Sequence, residues 1–329
     1  MAKDMMPAFQ LYQPASIEDA LALLDRFGPD GWALAGGHDS FDWFKDRAKR
    51  PKAVVDLNGI DSLAGIRDWN GGVEIGALTT LTEIEQNALI RERFSLLAAA
   101  AAKVASPQIR NVGTLGGNVS QDTRCWYYRY GLACYRAGGV TCYANTPQGQ
   151  NREHALFGAD RCVAVSPSDT APALVALDAS MVIRSSQGER SVPAAKFFIG
   201  PSTDITRMTV LEPGDILTSI RIPSDWAGAN FYFEKVADRN TWDFALVNIA
   251  AALKVDAGVI SDARIVCGAV EAVPRRLTAV EKVVRGAQKN AATADMAASI
   301  ASKGAAPLNF NHFKMPLMEN LVKRAIRDA

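Results

Sequence analysis

Two adjacent glycine pairs, Gly36-Gly37 in LAGGHDS and Gly116-Gly117 in TLGGN, constrain this chain more than any other feature. Two residues without Cβ let consecutive backbone N–H groups curl toward a common point, forming the concave nest that binds anions. Each pair follows an apolar run that reads as a strand, with Ala35 before the first and His38, Ser40, Thr114 and Asn118 as side-chain donors at the loop edges. A single Gly-Gly is ordinarily a tight turn. Two in alike surroundings point to one shared anionic ligand, phosphate first among the choices. Neither pair belongs to a G-x-G-x-x-G or a Walker sequence, so the two common nucleotide fingerprints are absent. Asp39 cuts against the reading, because a carboxylate one residue past a nest repels phosphate unless it points away or accepts from ligand hydroxyls.

The second pair leads into a cysteine field. Cys125, Cys134, Cys142 and Cys162 follow within fifty residues, spaced C-x8-C-x7-C-x19-C, and are four of the chain's five cysteines. Thiolates ligate iron–sulfur clusters and structural zinc alike, and four complete either site. Zinc sites bring ligands in close pairs two to four residues apart, and no such pair exists here; the ferredoxin C-x2-C-x2-C run is missing too. Single, widely spaced cysteines on an irregular stretch rich in Tyr, Gly and Asn suit a cubane cluster wrapped by one excursion of chain. The third alternative is four inert buried cysteines, which would have regularly spaced apolar neighbours. TRCWYYRYG, LACYRAGG and VTCYANTP lack that pattern. Cys267, in RIVCGAV, reads as a strand core residue.

A chain of 329 residues suits two or three domains, and 48% hydrophobic residues leave ample material for cores. Net charge is +1, and the mildly basic C-terminal helix reads as a solvated face, so nothing argues for nucleic acid. No apolar run is long enough to span a bilayer. The N-terminal MAKDMMPAFQLYQP lacks the layout of a secretory signal, and clustered odd-numbered cysteines fit poorly with a disulfide framework. Cytoplasm is the expected compartment; the alternative is the periplasm, reached by export of the folded subunit on a partner's signal.

Along the chain, Phe9 to Leu11 reads as a strand, and Ser16 as the N-cap, with Asp19 at N3, of a helix ending at Gly28. GWALAGG reads as strand then tight loop, SFDWFKDRA as a short helix, and KAVVDLNGI as a strand. WNGGVEIGALTTL reads as a strand leading into a helix N-capped by Thr82, and FSLLAAAAAKVAS as a helix stopped at Pro107. Asp169, in SPSDTAPAL, is first a candidate N-cap for the following helix. A hairpin turned at Gln187-Gly188 and the strand LEPGDILTSIRIP come next. SDWAGANF is the best linker candidate. Beyond it lie antiparallel strands and a helix, then some fifty mostly helical residues. Lys235, in FEKVADR, is either a strand-edge lysine or a cation beside a redox group. His154 and His312 read as structural or exposed. No Ser/His/Asp order, H-E-x-x-H or acid–base carboxylate pair is present, so substrate chemistry is not visible and an electron-handling role comes forward.

The chain resembles the FAD-binding medium subunit of the molybdenum hydroxylases, the xanthine dehydrogenase and carbon monoxide dehydrogenase family. The resemblance rests on FQLYQPASIEDALALL, LAGGHDSF, VVDLNGI, IGALTTLTEIE, SPQIRNVGTLGGN, SPSDTAPALVALDA, LEPGDILTSIRIP and FEKVADRNTWDFALVNIAAAL, and thins out after GAVEAVPRRL. The cysteine-bearing insert, at about 122–165, is similar to the branch that carries an additional [4Fe-4S] cluster, which includes 4-hydroxybenzoyl-CoA reductase and the periplasmic aldehyde oxidoreductases. The resemblance implies an α+β fold: a two-part FAD-binding domain of the vanillyl-alcohol oxidase (PCMH) type over 1–224, then a small α+β domain of the CO dehydrogenase flavoprotein C-terminal type over 230–329. It implies that Ala35, Gly36, Gly37, His38, Asp39, Ser40, Thr114, Gly116, Gly117 and Asn118 embrace the FAD diphosphate and that Asp169 and Lys235 lie near the flavin. Cys125, Cys134, Cys142 and Cys162 would ligate the cluster. Asp39 departs from the small or hydroxyl residues commoner there. The implied partners are a molybdenum-cofactor large subunit, a [2Fe-2S] small subunit and an external electron acceptor or donor. Two rivals remain: a self-contained flavin oxidase of the same domain type, with His38 as a conceivable attachment point, and a zinc-stabilised interaction module.

Overall fold

Three sheets organise residues 5–329, the part of the chain described in this computed structural model. The first is parallel and small: β1 (Gln10–Tyr12), β2 (Gly31–Leu34) and β3 (Ala53–Asp56) run in the order β1-β3-β2. Its central strand, AVVD, is apolar without alternation because it is covered on both faces. The helix Ile17–Phe27 connects β1 to β2; the Ser16 hydroxyl accepts the Asp19 N–H at 3.1 Å, and Gly28 ends the helix at φ +48°. β2 then breaks into the first glycine pair and the helix His38–Lys45.

The second sheet is antiparallel, with β4 (Ile66–Trp69), β5 (Gly72–Gly76), β6 (Ser180–Ser185), β7 (Gly188–Pro193) and β8 (Ile216–Ile222) in the order β4-β5-β8-β6-β7. The main apolar core forms between this sheet and the helices Leu81–Gln86, Ser95–Ala102 and Ala171–Ala176. Between β5 and β6 lies a long passage carrying the second glycine pair and every cysteine but Cys267. The third sheet, also antiparallel, comprises β9 (Asn230–Val236), β10 (Val247–Asp256), β11 (Val259–Gly268) and β12 (Arg275–Arg276) in the order β12-β11-β10-β9. The helices Thr278–Val284, Ala291–Ala301 and Lys314–Asp328 cover one face of it, and Cys267 lies fully buried in that core. The architecture is α+β.

Several local expectations shift. The helix after β5 is capped by Thr80, not Thr82: Thr80 and Glu83 form a reciprocal capping box, and the chain breaks at Asn87 into a second short helix. Pro107 does not stop a helix. Ser95–Ala102 has already ended, Ala105 turns at φ +42°, and Pro107 opens a new turn at N1 behind the Ser106 cap. No helix lies among β9, β10 and β11; a loop over 237–246 joins β9 to β10 and a tight turn joins β10 to β11. SDWAGANF is not a loose linker either. Trp226 is 2% exposed and donates its indole N–H to Asp178, so the passage from the second to the third sheet is packed into the core. Among the described residues, no helix is long and apolar enough to cross a membrane.

Candidate cofactor site

The first glycine loop presents bare backbone donors. Gly37 sits at φ +78°, a left-handed conformation natural to glycine, and heads the helix His38–Lys45 without a side-chain cap. The N–H groups of Gly36, Gly37, His38, Asp39 and Ser40 donate to no protein acceptor among the described residues. Gly36 is a close-approach position: a Cβ there would stand 2.5 Å from the Val112 carbonyl oxygen and 3.0 Å from the Gly113 Cα. Unpaired N–H groups at a helix start, with the helix dipole behind them, make a ready anion seat.

The second pair is built differently, contrary to the strand-then-nest expectation. Gly116 and Gly117 lie inside a short helix, Leu115–Val119, capped by Thr114, whose hydroxyl accepts the Gly117 N–H at 3.0 Å. The Gly116 N–H donates to the Ala77 carbonyl at 2.8 Å, and the Leu115 and Asn118 N–H groups are also bonded within the protein. No nest remains. Gly116 is glycine because a Cβ would meet the Ala77 Cβ at 2.7 Å. Asn118 is buried, its Oδ1 accepting from the Ser168 and Thr170 hydroxyls, both at 2.6 Å.

The two loops nevertheless open on one cleft. Ala35, Gly36, Gly37, His38, Asp39, Ser40, Thr114, Gly117, Asn118 and Asp169 line a cavity of about 390 Å³. A second cavity of about 340 Å³ continues from it past Gly116, and Trp32, Ala33, Ala35, Gly117, Ser120 and Gln121 wall both. The result is a two-ended groove whose waist includes Ala35 and Gly117, at the edges of the two glycine loops, while Gly36 to Ser40 line the first cavity. Asp39 turns its carboxylate aside: one oxygen accepts from Arg124 at 3.0 Å, the other from the Asp122 N–H at 3.2 Å. Burial holds its carboxyl above the ordinary range, with Arg124 pulling the other way.

Asp169 does not cap a helix; Thr170 occupies that position, without a capping bond. Its carboxylate is buried, receiving Lys235 Nζ at 2.6 Å and Asn248 Nδ2 at 2.9 Å. Burial raises its pKa, and Lys235 opposes the rise. Lys235 also donates to the Lys103 and Asp243 carbonyls, and it stands behind Asp169 rather than on the cleft wall. Beside this pair, Trp242 and Phe244 overhang the cleft. Thr241 and Trp242 both donate to the Ala105 carbonyl, at 2.9 and 2.8 Å, and Trp242 is 58% exposed. Nothing in the sequence near Trp32, Arg124, Trp242 or Phe244 flagged them, although an aromatic pair flanking an aspartate in TWDF was a usable cue.

Cys125, Cys134, Cys142 and Cys162 line one small cavity with Tyr127, Tyr128, Tyr143 and Arg136. None of the five cysteines is disulfide-bonded. Burial pushes the Cys125 thiol up to about 12 and raises Cys162, the neighbouring thiols adding to both. The Arg136 guanidinium, itself buried, donates to the Asp122 carboxylate and to the Ile205 carbonyl at 2.6 Å. His154 is not a bystander: its Nε2 lies 3.3 Å from Cys125 Sγ, and burial lowers its pKa to about 4. Lys314, fully buried, fixes that segment by donating to the Glu153, His154 and Ala269 carbonyls. Among the described residues, no three His, Cys, Asp or Glu side chains are arranged to hold a single metal ion.

Residues 7–225 match the family described as the FAD binding domain in molybdopterin dehydrogenase. The chain belongs to that family. Residues 232–329 match the CO dehydrogenase flavoprotein C-terminal domain. The aldehyde oxidoreductase FAD-binding subunit PaoB of Escherichia coli K12 is 32% identical over 289 residues, covering 86% of this chain and 88% of the relative. The carbon monoxide dehydrogenase medium chain of Hydrogenophaga pseudoflava is 30% identical over 260 residues, covering 79% and 74%. Among solved structures, a chain of the cyanide-inactivated Cu,Mo-CO dehydrogenase superposes with a TM-score of 0.79 at 27% identity, covering 99% of each chain. Fold and family together make this an oxidoreductase flavoprotein, of the medium-subunit type found in molybdenum hydroxylases.

Proposed function

We propose that this chain is the electron-handling subunit of a molybdenum-containing hydroxylase, dehydrogenase or reductase, holding FAD in the two-ended cleft and a [4Fe-4S] cluster on Cys125, Cys134, Cys142 and Cys162. The observation that carries the reading is the row of unpaired N–H groups from Gly36 to Ser40 on residues that line a cleft of about 390 Å³, with a second cavity of about 340 Å³ adjoining it. In this reading those groups receive the diphosphate beside the waist of the groove. Thr114 and Asn118 orient it from the opposite wall, and Gly116 and Gly117 let the backbone come close. Trp242 and Phe244 exclude water at one end, where Asp169 and Lys235 fix the local charge. Bound FAD supplies one- and two-electron chemistry that links partner redox centres to an external acceptor or donor.

Four thiols around one cavity supply the ligand number a cubane cluster requires, and buried Arg136 offsets the negative charge such thiolates bring. A single zinc ion would need sulfurs about 3.8 Å apart, given a Zn–S distance of about 2.3 Å. The donor arrangement does not favour that choice. In this reading substrate chemistry belongs to a molybdenum-cofactor large subunit, as the likeness to medium chains of multi-subunit oxidoreductases suggests. A [2Fe-2S] small subunit would complete a heterotrimer. Anaerobic purification of the full chain, with flavin and metal counted, tests the proposal. One FAD and about four irons per chain are expected; stoichiometric zinc, or a chain without flavin, would contradict it.

A further inference from the structure

Arg124 touches three parts of the molecule that otherwise meet nowhere near each other in sequence. It immediately precedes Cys125 in the insert. Its Nη1 donates to Asp39 Oδ1 at 3.0 Å and lies 3.8 Å from Asp42 Oδ2, both on the helix that begins at the first glycine pair. Its guanidinium also covers the Phe244 ring at 4.5 Å, in the loop between β9 and β10. Asp39 further accepts the Asp122 N–H, so two insert residues grip one carboxylate. Arg124, Asp39 and Phe244 all face the cleft, while Cys125 faces the thiol cavity. A third, small cavity of about 40 Å³ is lined by Arg124 and Cys125 together with His154, Asp169 and Phe244.

A phosphate nest gains nothing from a carboxylate beside it unless that carboxylate has another task. Here the task is visible: Asp39 anchors the insert to the start of the anion-binding helix, and its charge is matched by Arg124 instead of confronting the ligand. Arg124 is a planar fork that pairs and stacks at once, which a lysine cannot reproduce.

We propose that Arg124 is a positioning residue coupling the two sites: through Asp39 and Phe244 it sets the glycine loop and the aromatic overhang according to the state of the insert at Cys125. Flavin affinity therefore responds to what happens at the thiol cavity. This rests on the flavin reading of the cleft and does not depend on the metal that the cysteines take.

The test is a double-mutant cycle on the full chain, titrated with FAD and read by quenching of flavin fluorescence. Arg124→Ala is expected to weaken FAD binding at least about tenfold, and Arg124→Lys to recover only part of that. Cys125→Ser should weaken FAD when Arg124 is present and leave it unchanged in the Arg124→Ala background. Purely structural damage would instead give additive losses and a lowered Tm in every variant. Should Arg124→Ala fail to fold, Asp39→Asn takes its place in the cycle, removing the charge at the other end of the bridge. Wild-type affinity in the Arg124→Ala chain, or additive effects of the two substitutions, overturns the coupling. A wild-type chain that binds no FAD overturns the flavin reading itself, and the coupling with it.

Discussion

Gly36-Gly37 and Gly116-Gly117 look alike in sequence and perform opposite services. The first pair leaves its N–H groups open to the cleft; the second has its own bonded to Ala77 and Thr114 and serves by omission, letting a short helix press against the end of β5. A glycine pair thus guarantees closeness and not donors. Which of the two it provides depends on the next residues. After Gly37 the chain continues into a helix with no cap, so its first N–H groups stay free. Before Gly116 stands Thr114, whose hydroxyl closes the turn.

Substitutions at matched positions separate the two services. Gly36→Ala drives a methyl into the Val112 carbonyl, which is backbone and cannot swing aside. It is expected to lower the unfolding free energy by about 1–3 kcal/mol and, by displacing the loop that carries the open N–H groups, to raise the FAD dissociation constant about a hundredfold, roughly 2.7 kcal/mol. Gly116→Ala should cost comparable stability with a smaller effect on flavin. Its Cβ would crowd Ala77 Cβ and Ala77 O, at 2.7 and 2.8 Å, so unfolding free energy should drop by about 1–3 kcal/mol, while FAD affinity falls less than in the Gly36 variant. Thr114→Val removes only the cap acceptor for the Gly117 N–H, and about 1 kcal/mol of stability should go with it. Equal flavin losses from Gly36→Ala and Gly116→Ala would erase the distinction.

What the sequence disclosed follows the range of the interactions. The Ser16 cap, the turn at Gly37, the hairpin before Gly188 and the gathering of four cysteines are local or carried by one segment, and each was readable. The helix at Leu115–Val119 was not, because two glycines argue against any helix and only the Thr114 cap and the packing on Ala77 stabilise this one. Asp169 looked like a cap because local rules favour that use; its actual partner, Lys235, is 66 residues away on β9 of the third sheet. Asp39 looked like an obstacle until Arg124, 85 residues on, supplied its counter-charge. His154 carried no pattern, and only the fold brings it to Cys125. Residues that join elements are silent in sequence because neither element shows the other.

Amide hydrogen exchange read by mass spectrometry, with and without FAD, tests the central claim most directly. If the first loop seats the diphosphate through its backbone, peptides covering residues 36–40 should slow markedly when FAD is added, while those covering 115–118, already bonded within the protein, should change little. Protection that appears at 115–118 and not at 36–40 would contradict the account.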